Sequence, residues 1–135
     1  MKHLFVPFEI AKKLKEKGFD EPCFRMYRDG ELKRGAEEET TSQRDVKSIY
    51  GGILAPVYQQ VIDWLNEQGI EVKAYKVLPI DLEPVWVVQL VSWSSKKLGF
   101  ATKYVDHGNP DQPINHFKTR TDAVSAAITD ALKYI

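Results

Sequence analysis

A chain of 135 residues, 43% hydrophobic and 28% charged, can bury a core without disulfides or metal, which excludes a disordered or fibrous class. Its 19 basic and 19 acidic side chains cancel overall and nearly cancel locally, 11 against 10 in residues 1–50 and 8 against 9 in 51–135, so the basic excess used in sequence-independent phosphate binding is missing. The single cysteine, Cys23, excludes an internal disulfide framework and suits a reducing compartment, and no apolar run reaches the ~20 residues of a membrane helix.

In chain order, MKHLFVPFEI has too short an apolar run for a leader and no small-residue cleavage site, so the expected setting is cytoplasmic, with no membrane. Met1 to Val6 reads as extended. Pro7 then opens a helix over 7–17, with Phe8, Ala11 and Leu14 on one side and four lysines on the other. Those lysines are mixed with Glu9 and Glu16 and read as a solvated face. Gly18 ends the helix, and Phe19 folds back onto its last turn. Asp29-Gly30 is a strong signal for a type I′ hairpin turn, with strands at roughly 23–28 and 31–34. The stretch 35–52 has three consecutive glutamates and few apolar anchors, and reads as a long exposed loop.

The stretch from Gly51 to Tyr75 organises the rest. Leu54, Val57, Tyr58, Val61, Ile62 and Leu65 fall on one helical face, with Pro56 suited to the first turn. Gly69 supplies a left-handed stop, and the period then drops to two, with Ile70, Val72 and Ala74 on one face of a strand. Pro79 and Pro84 bracket a linker that no central strand tolerates easily. VWVVQLVSW, residues 85–93, is apolar on both faces and reads as a central strand. After a turn at Ser94 to Lys97, LGFATKYV returns antiparallel. Residues 106–118 form a second loop, and a helix over 119–134 closes the chain, with Thr119 as its cap and Val124, Ala127, Ile128, Ala131, Leu132 and Ile135 in its stripe. The expected fold is α+β, one domain over 1–135, an antiparallel meander packed with helices in the order α-β-β-(loop)-α-β-β-β-α.

No catalytic set emerges from the spacing. The possible ligands His3, Cys23, Asp106, His107, Asp111 and His116 include no i, i+4 or C-x-x-C pair, so neither a metal nor a cofactor is expected. Cys23 opens an apolar strand, where a buried structural thiol is commoner than a nucleophile. Ser92, Ser94, Ser95 and Ser125 lack a G-x-S-x-G setting. Gly51-Gly52 precedes a helix, but the spacing of a phosphate loop is missing and a tight turn is the better reading. Glu37 to Glu39 lie in a solvated run, where nothing raises a carboxyl pKa. Three tryptophans, Trp64, Trp86 and Trp93, stand beside Tyr58, Tyr75 and Tyr104. Aromatics left outside the core mark protein contacts, self-association included.

Two resemblances add to this. From residue 53 onward the order α-β-β-β-α is similar to that of double-stranded-RNA-binding domains, whose last helix begins with phosphate-gripping basic residues. The likeness implies nucleic-acid contacts at Lys118 and Arg120, with Lys96 and Lys97 in the strand turn. The Gly-Pro-x-His loop of those domains is replaced here by PIDLEP. Separately, LFVPFEIAKKLKEKGFDEPCF and ILAPVYQQVIDWLNEQGIEV, with the amphipathic helix at 119–134, resemble a family of small uncharacterised proteins of Bacteroides-type bacteria and their prophages or mobile elements. That likeness implies an accessory protein and supplies no catalytic residue. The leading expectation is therefore a non-enzymatic accessory or binding protein acting through a protein-contact surface. A nucleic-acid-binding domain is the alternative, and a small enzyme with a site around His107, His116 or Cys23 comes third.

Overall fold

A computed structural model describes residues 4–34, 52–78, 83–93, 101–105 and 116–135. The chain is α+β, and the described strands all pair antiparallel, as the sequence predicts. The strands are shared between two three-stranded sheets, and the contacts divide the chain into two compact units, Met1–Trp64 and Leu65–Ile135.

The first unit opens with helix α1, Phe8–Glu16. Pro7 sits at its N-cap, so the helix begins one residue after the predicted start. Ile10, Ala11 and Leu14 are buried while Lys12, Lys13, Lys15 and Lys17 are exposed, which bears out the solvated-face reading. The Phe19 N–H donates to the Leu14 carbonyl at 3.0 Å, closing the helix, and the Phe19 ring is buried. Burial of such a side chain contributes about 2 kcal/mol. Strands β1, Arg25–Arg28, and β2, Glu31–Arg34, form the predicted hairpin. Asp29 and Gly30 take φ of 54° and 78°, the paired left-handed geometry that a type I′ turn demands.

The expected helix start is corrected. Residues Ile53–Ala55 form a strand, β3, on the other edge of β1, with Leu54 opposite Met26 and both buried. Pro56 explains the change, because its ring drives the preceding residue toward extended geometry and so keeps Ala55 out of the helix. Helix α2 then runs Tyr58–Glu67. Gln60 Oε1 accepts the Val57 N–H at 3.0 Å, half of a capping box. Of the predicted α2 stripe, Val61 and Leu65 are buried and Val57, Tyr58 and Ile62 half-buried, and Trp64 is buried beside them. The loop expected at 35–52 lies, apart from Gly52, outside the described residues.

In the second unit, Gly69 turns the chain at φ 94°, a value a side chain would strain. Strands β4, Ile70–Val77, β5, Val85–Ser92, and β6, Thr102–Tyr104, form a meander in the order β4-β5-β6. β5 is central and β-structured over all but the last residue of the predicted run 85–93. The returning strand expected from Leu98 is described only from residue 101, and the turn at 94–97 lies outside the described residues.

The predicted loop 106–118 is corrected at its end. Phe117 pairs with Trp86 through two reciprocal backbone hydrogen bonds of 2.7 and 2.8 Å, on the flank of β5 that also receives β6. Residues 106–115 are outside the described set. Helix α3, Arg120–Ala131, follows and ends in a single 3-10 turn, Leu132–Tyr134. Thr119 Oγ1 caps it by accepting the Asp122 N–H at 3.1 Å. Its alanines 123, 127 and 131 are buried, and the helix lies against β4 and β5.

Candidate functional site

Strand register assigns each side chain of the second sheet to a face. Val72 opposes Leu90 and Leu90 opposes Lys103, so these three share one side. Lys103 Nζ reaches Asp130 Oδ2 of α3 at 2.9 Å, which identifies that side as the one under the helix. The other side carries the odd-numbered residues of β4 and β5, together with Thr102 and Tyr104 of β6.

On that opposite face Tyr75 stands across from Val87, and Tyr104 across from Gln89. The Tyr75 hydroxyl donates to the Tyr104 hydroxyl at 3.3 Å, spanning the central strand. Val87 is only 4% exposed, while Tyr75 and Tyr104 remain 37% and 52% exposed. The hydrogen bond to Tyr104 raises the Tyr75 pKa above its ordinary value, with slight burial and the neighbouring Tyr104 charge acting the same way. The Tyr75 phenol therefore keeps its proton at neutral pH, and both rings offer apolar edges and a polar tip.

Of the three tryptophans singled out by the sequence, the structure removes one from any surface. Trp64 is buried, its ring edge-on to Phe19 at 5.4 Å and 77°. Trp86 is half-buried, with its backbone tied to Phe117. Trp93 is 65% exposed just past β5, and its Nε1–H donates to Asn66 Oδ1 at 3.3 Å. Leu78, just past β4, is exposed as well. Lys118 and Arg120 are exposed on either side of Thr119. Lys96 and Lys97 lie outside the described residues.

A second cluster lies where α3 meets β6. Asp130 holds Lys103 at 2.9 Å and Lys133 at 3.4 Å, while the Tyr134 hydroxyl takes a further bond from Lys103 at 2.9 Å. Tyr134 first and Asp130 second raise the Lys103 pKa, and desolvation opposes them. A cleft of about 410 Å³ adjoins the cluster, with Val105, Phe117 and Ala126 among its lining residues. One carboxylate there serves two ammonium groups, and the evident work of the cluster is to fasten α3 to β6.

Cys23 is fully buried, its Sγ–H donating to the Glu21 carbonyl at 3.1 Å. Burial, followed by the Glu21 and Asp20 charges, pushes the thiol up to about 12, and a side-chain hydrogen bond with Gln60 only partly offsets this. That is the reverse of an activated nucleophile. Among the described residues no group of three or more His, Cys, Asp or Glu could hold a metal ion. His116 is half-buried, whereas His3, Asp106, His107 and Asp111 lie outside the described set. Among the described residues no helix is long and apolar enough to cross a membrane.

No family model, no curated protein and no solved structure matches the chain.

Proposed function

We propose that the chain is a non-enzymatic accessory protein that binds another protein through the sheet face bearing Tyr75 and Tyr104. The observation that carries this reading is the hydrogen-bonded tyrosine pair, held over the buried Val87 with both rings still exposed. Rigid aromatics with two χ angles lose little entropy on binding, and their tips keep a polar partner. The resemblance of residues 4–24 and 53–72 to small proteins of Bacteroides-type bacteria and their mobile elements supports the accessory setting, inside the cell. The test compares wild type with a Tyr75→Ser/Tyr104→Ser variant of unchanged circular dichroism in affinity capture from such a host. A partner retained by wild type and lost by the variant supports the reading. Equal retention by both ends it.

A second reading, nucleic-acid binding, rests on the observed order α2-β4-β5-β6-α3 and on exposed Lys118 and Arg120 beside the α3 cap. Two such cations release about two counterions, so duplex RNA retention must weaken with salt along a shallow slope of that size. A Lys118→Gln/Arg120→Gln variant binding as wild type does would remove it.

A further inference from the structure

We propose that β4 is the seam of a homodimer, two copies joining these strands antiparallel about a two-fold axis at Val72, so that Glu71 of each copy faces Lys73 of the other. The strand order leaves β4 at an edge, and its eight residues, IEVKAYKV, contain neither proline nor glycine. The hydrogen-bond phase is fixed by Trp93 N–H donating to the Gly69 carbonyl, and by the N–H groups of Trp86 and Ser92 pointing away from β4. Residues 71, 73, 75 and 77 therefore turn their backbone groups toward β5, whereas Val72, Ala74 and Lys76 turn theirs outward. Among the described residues these outward groups have no backbone partner. An edge in this state is a template for another strand.

Register follows from side-chain parity. Opposed residues of an antiparallel pair lie on one face, so a continuous sheet needs the axis to pass through a residue. Passing it through Lys73 sets that lysine against its own copy, which like charges disfavour. Passing it through Ala74 sets Lys73 against Tyr75 and Glu71 against Val77, leaving both charges unmatched. Passing it through Val72 matches Glu71 with Lys73 twice and Ile70 with Ala74 twice. Within the chain neither Glu71 nor Lys73 makes an ion pair among the described residues, so both are available. An edge lysine ordinarily guards against stray pairing. In this register the guard meets an acid, which makes the seam selective for a second copy. The inference rests on the strand edge rather than on the tyrosine pair, so the two proposals fail separately.

Sedimentation velocity across a concentration series, at low salt, reads the mass. The expected result is a concentration-dependent species of twice the monomer mass that weakens as salt rises. Glu71→Lys should weaken it by about tenfold or more, and the Glu71→Lys/Lys73→Glu swap should restore it. Ala74→Pro removes one outward N–H and should abolish the dimer without unfolding the sheet, since edge positions of that kind accept proline. Amide exchange should slow at Val72 and Ala74 as concentration rises, while Lys76, beyond the overlap, stays unchanged. Tyr75→Ser/Tyr104→Ser should leave the mass unaltered. A monomer at every concentration overturns the proposal, as does a dimer indifferent to Glu71→Lys or one that the swap does not restore.

Discussion

Tyr75 and Tyr104 sit on strands that do not pair with each other, yet their hydroxyls meet at 3.3 Å across the central strand. The bond clips the two outer strands of the sheet together through side chains alone. It also ties the titration of one ring to the presence of the other.

Tyr104→Phe should return the Tyr75 pKa toward its ordinary value of 10.0, because the lost hydrogen bond is the largest cause of its rise. The folded state holds this proton more tightly than the unfolded chain. Stability linked to it is therefore whole below pH 10 and declines as pH climbs through the folded value. Ultraviolet titration of phenolate absorbance in the two proteins reads the shift. An unchanged curve in the variant would show that the hydroxyl contact is not formed in solution.

Cys23 should be silent to thiol reagents in the native protein at pH 8 and react at once in denaturant. Its folded pKa of about 12 lies above the ordinary 9.0, so the linked stability is complete below pH 9 and is lost as pH rises toward 12. Colorimetric thiol assay with and without urea checks the first point, and urea midpoints between pH 8 and 11 check the second. Fast labelling of the folded chain would contradict the burial.

Trp64→Ala should destabilise the fold by about 3–5 kcal/mol, the range for emptying a buried indole site. It removes an edge-to-face contact with Phe19 and a ring only 7% exposed. Trp93→Ala, at an exposed position, should change stability by less than about 1 kcal/mol. Urea denaturation of both variants separates them, and acrylamide should quench Trp93 far more than Trp64.

Asp130→Asn should cost about 1–3 kcal/mol by taking a charged partner from Lys103 and Lys133. Lys103 keeps the Tyr134 hydroxyl, the larger cause of its raised pKa, so the rise should shrink without vanishing. Lysine Nζ titration by NMR reads this, along with the urea midpoint. Stability carried by Lys103 is present below its ordinary 10.5 and is lost as pH passes its folded value.

Helix α1, the Asp29-Gly30 hairpin, the Gly69 stop, β5 and the Thr119 cap were all legible in the sequence. Each depends on local chemistry: an apolar period, a positive φ or a cap. The start of α2 was not legible, because Leu54 satisfies a helical stripe and a strand pairing equally well. Only the free edge of β1 opposite Met26 decides between them, and that partner is distant in sequence. Pro56 was the available signal, read as a first-turn proline when its effect on Ala55 mattered more. The candidate site was half legible. Tyr75 and Tyr104 could be noticed as aromatics, but their meeting depends on the β4–β5 and β5–β6 registers, which no local pattern supplies. Trp64 shows the converse, since a ring at the margin of a helical stripe gives no hint of Phe19 above it.

The chain leaves the flank of β5 at Val105, clamped to Val88, and returns to the same flank at Phe117, clamped to Trp86. Both anchor points are set by backbone bonds to one strand, so the spacing between them is dictated by β5 and not by whatever polypeptide joins them. Cutting or lengthening that connection should leave two ends still seated side by side. The position is thus a natural place to graft a reporter peptide, or to split the protein into fragments that reassemble.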